Sequence, residues 1–315
     1  MIARAPGKLF LTGAYAVLEG APAIVFAVDR FVEAREGSPT RTSAEVAAVA
    51  RRFEAPPPLV DTRSLEENGQ KLGLGSSAAA AVATAGFFVA REGFDLDDRA
   101  TQQRVLSIAL AAHAEVQPRG SGADVAASTF GGVVSVVRRE PLEVESLAPL
   151  SALVVRAFAT RRPARTSDVL DRLEARRSDL RTARALASIV DAAHDGARAY
   201  RAASLDGFLD AVARHVHGLS SLGAALDLPL VPPEVTVARR VLDQAQPPHD
   251  FSDDRRSPVL LPSGAGGGDT VLWLGARAPT DDETRALEGH GLIPLRLSLS
   301  MRGVHCSDAS DADRP

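Results

Sequence analysis

Three glycine-rich segments and two isolated lysines are the parts of this sequence whose residue types and spacing suit chemistry on an anion. In KLGLGSSAAAAVATAGFFVARE, residues 71–92, Gly73 and Gly75 let backbone amides approach a ligand closely, and Ser76, Ser77 and Ala78 open an alanine-rich helix. First-turn amides lack a partner inside the helix and stand at the positive end of its dipole, which suits a phosphate. Either serine can also serve as a helix cap, and a capped alanine-rich helix is written with the same letters. The segment is not a Walker A loop, because Lys71 precedes the glycines, and it contains no Rossmann fingerprint.

In PRGSGADVAASTFGGVVSVV, residues 118–137, Gly120 and Gly122 bracket Ser121, and Asp124 falls in what should be the first turn of a helix. There a carboxylate either faces an anion site or caps the helix. The third segment, PSGAGGGD at residues 262–269, sets Ser263, Gly264, Gly266 and Gly267 between two apolar strands, as a backbone packed on a ligand or as a long hairpin. Of 36 basic residues only Lys8 and Lys71 are lysine. A lysine's compact charge follows phosphate oxygens whose geometry changes during reaction, whereas arginine's planar fork fixes a bidentate contact.

These segments need a scaffold. Ala23 to Arg35 has the pattern of a strand, residues 36–58 read as a polar loop, a short helix and a proline stop, and helices are expected over 76–91 and 97–115, the second burying Val105, Ile108 and Leu110. A strand at Ser151 to Ala159 opens a second half whose leucines, valines and Phe208 recur at helical spacing, with Ser178 and Ser204 as N-caps. Two strands flank the third glycine segment, followed by a helix near 281–289 and a strand near 292–298. The expected division is a domain over 1–150, a second over 151–306 and a polar tail at 307–315.

A length of 315 residues allows two such domains, and 45% hydrophobic with 24% charged residues is ordinary globular chemistry. A net charge of −4 supplies no field for a nucleic-acid partner. The single cysteine, Cys306, forms no internal disulfide, and the absence of a long apolar run or a signal segment points to a cytoplasmic protein without a membrane partner.

Together with PGKLFLTGAYAVLEGAPAIV at residues 6–25, the three segments resemble, in order and rough spacing, the motifs of the GHMP kinase superfamily, the small-molecule kinases of galactose, homoserine, mevalonate and phosphomevalonate. Their wording is most similar to the bacterial phosphomevalonate kinases, with the mevalonate kinases next. The resemblance implies a two-domain α/β (α+β) fold, with a left-handed βαβ crossover in the amino-terminal domain and a ferredoxin-like carboxy-terminal domain. It implies ATP and Mg2+ as cofactors, a phosphate loop over Gly73, Leu74, Gly75, Ser76, Ser77 and Ala78, a magnesium contact at the Ser77 hydroxyl, a catalytic Asp124 and Lys8 on the transferring group.

The implied reaction is ATP-dependent conversion of 5-phosphomevalonate to 5-diphosphomevalonate by a monomer or homodimer. A mevalonate kinase, another small-molecule kinase of the superfamily, and a non-catalytic metabolite-binding relative are the alternatives. A phosphorylated small-molecule acceptor brings its own negative charge, for which Lys71, Arg119, Ser121, Gly122, Ser263, Gly264, Gly266 and Gly267 are the expected contacts. Arg161, Arg162 and Arg165 form a further cluster that a solvated loop explains equally well. With a hydroxyl acceptor Asp124 would act as general base; with a phosphate acceptor, already ionised, it would hold Lys8 in place.

Four departures from the family pattern stand out. Ala14 follows Gly13 where many members have glutamate, Leu261 replaces a basic residue before the third motif, and residues 246–258 are an insertion. His113 stands eleven residues before Asp124, where mevalonate kinases place a metal-binding glutamate, and is read as a structural histidine at a helix end. Glu115 points about 200° away from His113 on a helix and is a poor substitute.

Overall fold

The structure, a computed structural model, describes residues 1–67, 69–160, 166–245, 257–264 and 269–307. Strand β1 (Ile2–Thr12) runs through Pro6 and Gly7, which the sequence reading took for punctuation. Pro6 lies beyond the ladder that β1 forms with its antiparallel neighbour at the sheet edge, which covers only Ile2 to Arg4. After a 3-10 turn at Ala16–Glu19 come β2 (Ala23–Arg35) and α1 (Ala44–Arg52), whose cap Ser43 accepts a hydrogen bond from the Val46 N–H. Short strands β3 (Leu59–Asp61), β4 (Glu66–Glu67) and β5 (Gln70–Lys71) lead to α2 (Ser76–Arg91), α3 (Arg99–Val116) and α4 (Ala123–Phe130), then to β6 (Val133–Val137) and β7 (Glu143–Leu147).

The second half begins with β8 (Val154–Ala159) and helices α5 (Thr166–Ala175), α6 (Leu180–Arg201), α7 (Leu205–Leu226) and α8 (Pro233–Ala245). It continues with β9 (Val259–Pro262), β10 (Thr270–Gly275), α9 (Asp281–Gly289) and β11 (Ile293–Leu295), and β12 (His305–Ser307) closes the described chain. Ser204 caps α7 as expected, accepting from the Gly207 N–H at 3.2 Å, whereas α6 starts one residue later than expected, after Asp179 rather than Ser178. The expected strand near 292–298 is only Ile293–Leu295, because Ser298 turns back to hydrogen-bond with Asp29.

Contacts group the chain into two units that differ from a contiguous division at 150. The first holds Met1–Leu9, Val25–Ala148 and the described residues from Ser298 onward; the second holds Phe10–Ile24 and Pro149–Leu297. The physical reason is hydrogen bonding: Ser307, expected in a polar tail, pairs with Ile2, and Leu299 bridges to Val28.

The first unit's sheet has the order β12-β1-β2-β6-β7, with β3 paired to β2. Helix α2 packs against α1, α3 and α4, and every residue from Ala78 to Val89 on it is buried. A helix hydrophobic all round belongs inside, and its alanines let three neighbours approach closely. The second unit's sheet is antiparallel with the order β11-β8-β10-β9, fourth, first, third and second along the chain, which is the ferredoxin-like arrangement. Its core holds Phe158, Leu260, Val271, Trp273 and Leu287, and the buried Trp273 Nε1 donates to the Arg277 carbonyl at 3.0 Å. Among the described residues no helix is long and apolar enough to cross a membrane.

Candidate active site

Strand β1 delivers Lys8 to the loop ahead of α2. The Lys8 N–H donates to the Leu74 carbonyl at 2.9 Å, and its Nζ donates to the Gly73 carbonyl at 2.8 Å. Lys8 is only 6% exposed, and a charge so far from water is tolerated only where oxygen partners are at hand. Gly75 is the N-cap of α2 at φ 79°, and a Cβ there would lie 3.0 Å from Lys8 Cε. Glycine alone accepts that backbone conformation while leaving room for the lysine stem.

The serine cap allowed by the sequence is corrected by this geometry. Gly75 occupies the cap and has no side chain, so Ser76, Ser77 and Ala78 form the first turn instead. Their amides meet no capping side chain, and the stem of Lys8 packs against the loop at Gly75, where a Cβ would crowd it. That arrangement fits a phosphate. Leu74 is buried beneath the loop, Ser76 and Ser77 are half-buried, and Lys71 is exposed on β5 opposite Glu66.

The second part of the site is the start of α4. Gly122 caps it at φ 75°, where a Cβ would lie 2.7 Å from Leu110 Cδ2 of α3. The Ser121 hydroxyl accepts from the Ala123 N–H at 3.3 Å. Asp124 lies in the first turn of α4, two residues after the Gly122 cap. Its Oδ1 accepts from the Val125 N–H at 3.0 Å, and its Oδ2 lies 4.0 Å from His113 Nε2. Glu115 turns away to ion-pair with Arg51 and Arg52, in keeping with its expected direction on α3. Arg119 is exposed in the loop joining α3 to α4.

Helix α2 is the common element: its glycine loop holds Lys8, and its body packs against α4, which carries Asp124. In the second unit Ser263, 7% exposed, accepts from the Phe10 N–H at 3.0 Å, while its own N–H donates to the Thr270 carbonyl at 2.9 Å. Gly264 follows it in the same unit. Gly266, Gly267, Arg161, Arg162 and Arg165 lie outside the described residues, as do residues 246–256 of the insertion.

Sequence reasoning missed two relationships. One is the approach of His113 to Asp124, for which the eleven-residue spacing across a helix end and a glycine turn was the available signal. The other is the bond from Phe10 to Ser263, separated by 253 positions, for which the sequence carries no signal.

The chain is similar to known proteins in sequence and in fold. Residues 43–132 match the GHMP kinases N terminal domain. The chain is 27% identical to a phosphomevalonate kinase of Streptomyces sp. (strain CL190), an alignment covering 96% of this chain and 98% of that protein. It is 32% identical to a mevalonate kinase of Archaeoglobus fulgidus, over 46% of this chain and 55% of that one. Among solved structures, Streptococcus pneumoniae phosphomevalonate kinase in complex with phosphomevalonate and AMPPNP has the same fold, with a TM-score of 0.72 and 18% identity over 95% of this chain and 100% of that chain.

Proposed function

From the premise that this chain carries a GHMP kinase amino-terminal domain and is a phosphotransferase, we propose that it transfers the γ-phosphoryl group of ATP to the phosphate of 5-phosphomevalonate, giving 5-diphosphomevalonate and ADP. The observation that carries the choice of acceptor is the nearly end-to-end similarity to the Streptomyces phosphomevalonate kinase, against a mevalonate kinase match that spans 46% of the chain.

Phosphoryl transfer asks little covalent chemistry of a protein; in-line positioning and neutralisation of charge supply most of the rate. An acceptor phosphate oxygen forms the new bond to the γ-phosphorus as the bond to the β,γ-bridging oxygen breaks. The amides of Ser76, Ser77 and Ala78 hold nucleotide phosphate oxygens, and Lys8, braced on the Gly73 carbonyl, offsets charge on the transferring group. The acceptor phosphate is mostly ionised near neutral pH, with a second pKa of about 6, so Asp124 orients its surroundings and need not take a proton. Arg119 and Lys71 answer the charge of the acceptor.

Among the described residues no group of three or more His, Cys, Asp or Glu stands ready to cage a metal. At the start of α2 only the serine hydroxyls can offer an oxygen to a cation, which fits an ion carried chiefly by phosphate oxygens, with the Ser77 hydroxyl as the protein contact we assign. Magnesium held there would supply neutralisation of nucleotide phosphate charge.

The test is a coupled ADP-release assay of the purified protein against mevalonate, 5-phosphomevalonate, homoserine and galactose. The expected outcome is turnover of 5-phosphomevalonate above all others. A preference for mevalonate would replace this reading by that of a mevalonate kinase, and release of ADP with none of them would leave the acceptor elsewhere in the superfamily.

A further inference from the structure

His113 was expected to be a structural histidine at a helix end, yet its surroundings give it a more specific task. The side chain is buried, 3% exposed, and comes from the last turn of α3. Its Nε2 lies 4.0 Å from Asp124 Oδ2, its ring packs 3.7 Å from the position of a Cβ on Gly120, and its Nδ1 has no hydrogen-bond partner. A neutral imidazole carries one N–H and one lone pair. A buried donor without a partner is rarer and costlier than a buried acceptor without one. The N–H therefore belongs on Nε2, toward the carboxylate, and the lone pair on the unpartnered Nδ1.

We propose that His113, as the Nε2–H tautomer, is a positioning residue for phosphoryl transfer: it fixes the orientation of the Asp124 carboxylate from the end of α3. The two oxygens of Asp124 are then held from different sides. Oδ1 is tied to the Val125 N–H of its own helix, and Oδ2 lies 4.0 Å from His113 Nε2, beyond direct hydrogen-bond distance but within reach of it after a small shift of either side chain. A carboxylate fastened at one oxygen alone can still swing; attraction at the second narrows that motion, which is what a residue acting on a moving phosphoryl group requires. The same feature deepens the reading of the acceptor. A histidine beside Asp124 adds no second negative charge there, as a glutamate would, and so suits an acceptor that arrives already phosphorylated. The inference rests on the assignment of Asp124 to the transfer step.

Two variants separate positioning from mere packing. His113→Leu keeps bulk and removes the donor; His113→Gln places an amide N–H near the position of Nε2. With whichever acceptor the wild type turns over, kcat of His113→Leu is expected to fall by about ten- to a hundredfold with both KM values nearly unchanged, and His113→Gln is expected to recover most of that loss. An unchanged kcat in His113→Leu overturns the proposal, as does a His113→Gln enzyme that melts like the wild type and is equally impaired. Because position 113 is buried and a variant can fail to fold, the wild-type protein is also examined by nitrogen NMR with 15N-labelled histidine at mildly alkaline pH. A proton on Nε2 supports the inference; a proton on Nδ1, or on both nitrogens, overturns it. That measurement involves no acceptor, so a failure of the phosphomevalonate reading in the substrate panel remains distinguishable from a failure here.

Discussion

The hydroxyl oxygen of Ser263 accepts a hydrogen bond from the backbone N–H of Phe10, two residues beyond Lys8 on the same strand. The serine was expected to contact substrate, and in the structure its oxygen braces β1. Ser263→Ala is therefore expected to lower stability by about 1 kcal/mol, measured by urea unfolding. A variant of unchanged stability with a raised KM for the acceptor would return Ser263 to a ligand-binding role.

Asp124→Asn retains size and removes the charge beside His113. Turnover should drop by a factor of about a hundred or more, with the KM for ATP little changed, since the proposed function has the carboxylate serve the transfer step and not nucleotide binding. Steady-state kinetics at saturating ATP decide the point, and a wild-type kcat in this variant would remove Asp124 from the mechanism.

Arg119, exposed in the loop before α4, is assigned to the acceptor's own phosphate. Removing a charge-assisted contact of that kind costs about 1.5–3 kcal/mol, so Arg119→Ala should lose roughly ten- to a hundredfold in kcat/KM for 5-phosphomevalonate while its KM for ATP holds. A mevalonate kinase would barely register the change, and the ratio of acceptor efficiencies in wild type and variant measures the difference.

His215 gives the fold a pH limit of its own. It is buried on α7 with a backbone hydrogen bond to Ile189, and burial pushes its pKa from the ordinary 6.5 down to about 4. Between these values the unfolded chain binds a proton that the folded chain does not, so stability falls as pH drops below about 6.5 and the loss is complete near pH 4. Between pH 7 and pH 5 this amounts to about 2 kcal/mol. Urea unfolding at the two pH values, repeated on His215→Phe, should give a shallower decline in the variant; parallel declines would place the sensitivity in other groups.

Much of this arrangement was legible in the sequence because it depends on local backbone chemistry. Gly73, Gly75 and Gly122 mark left-handed positions that few other residues adopt, and the alanines after Ser77 mark a helix with room for neighbours on every side. What was not legible depends on pairing across distance. Nothing near Pro6 announces that β1 continues through it, since the strand is set by distant neighbours on both of its sides. Nothing near Ser307 announces a strand, because three residues become one only when a distant edge accepts them. His113 could be placed on its helix from periodicity, but its direction toward Asp124 required the turn at Gly120 and Gly122, whose path no spacing rule fixes.

The pairing of β1 with β12 also orders events during synthesis. Ile2, Ala3 and Arg4 are made some three hundred residues before their partners His305, Cys306 and Ser307. At roughly 5–20 residues per second the nascent chain holds that edge unpartnered for about 15–60 s, with its amide and carbonyl groups open to any other extended segment. The interval makes the first strand the natural target of a chaperone that shields β-edges, and a stalled or prematurely released chain of this protein should aggregate through it.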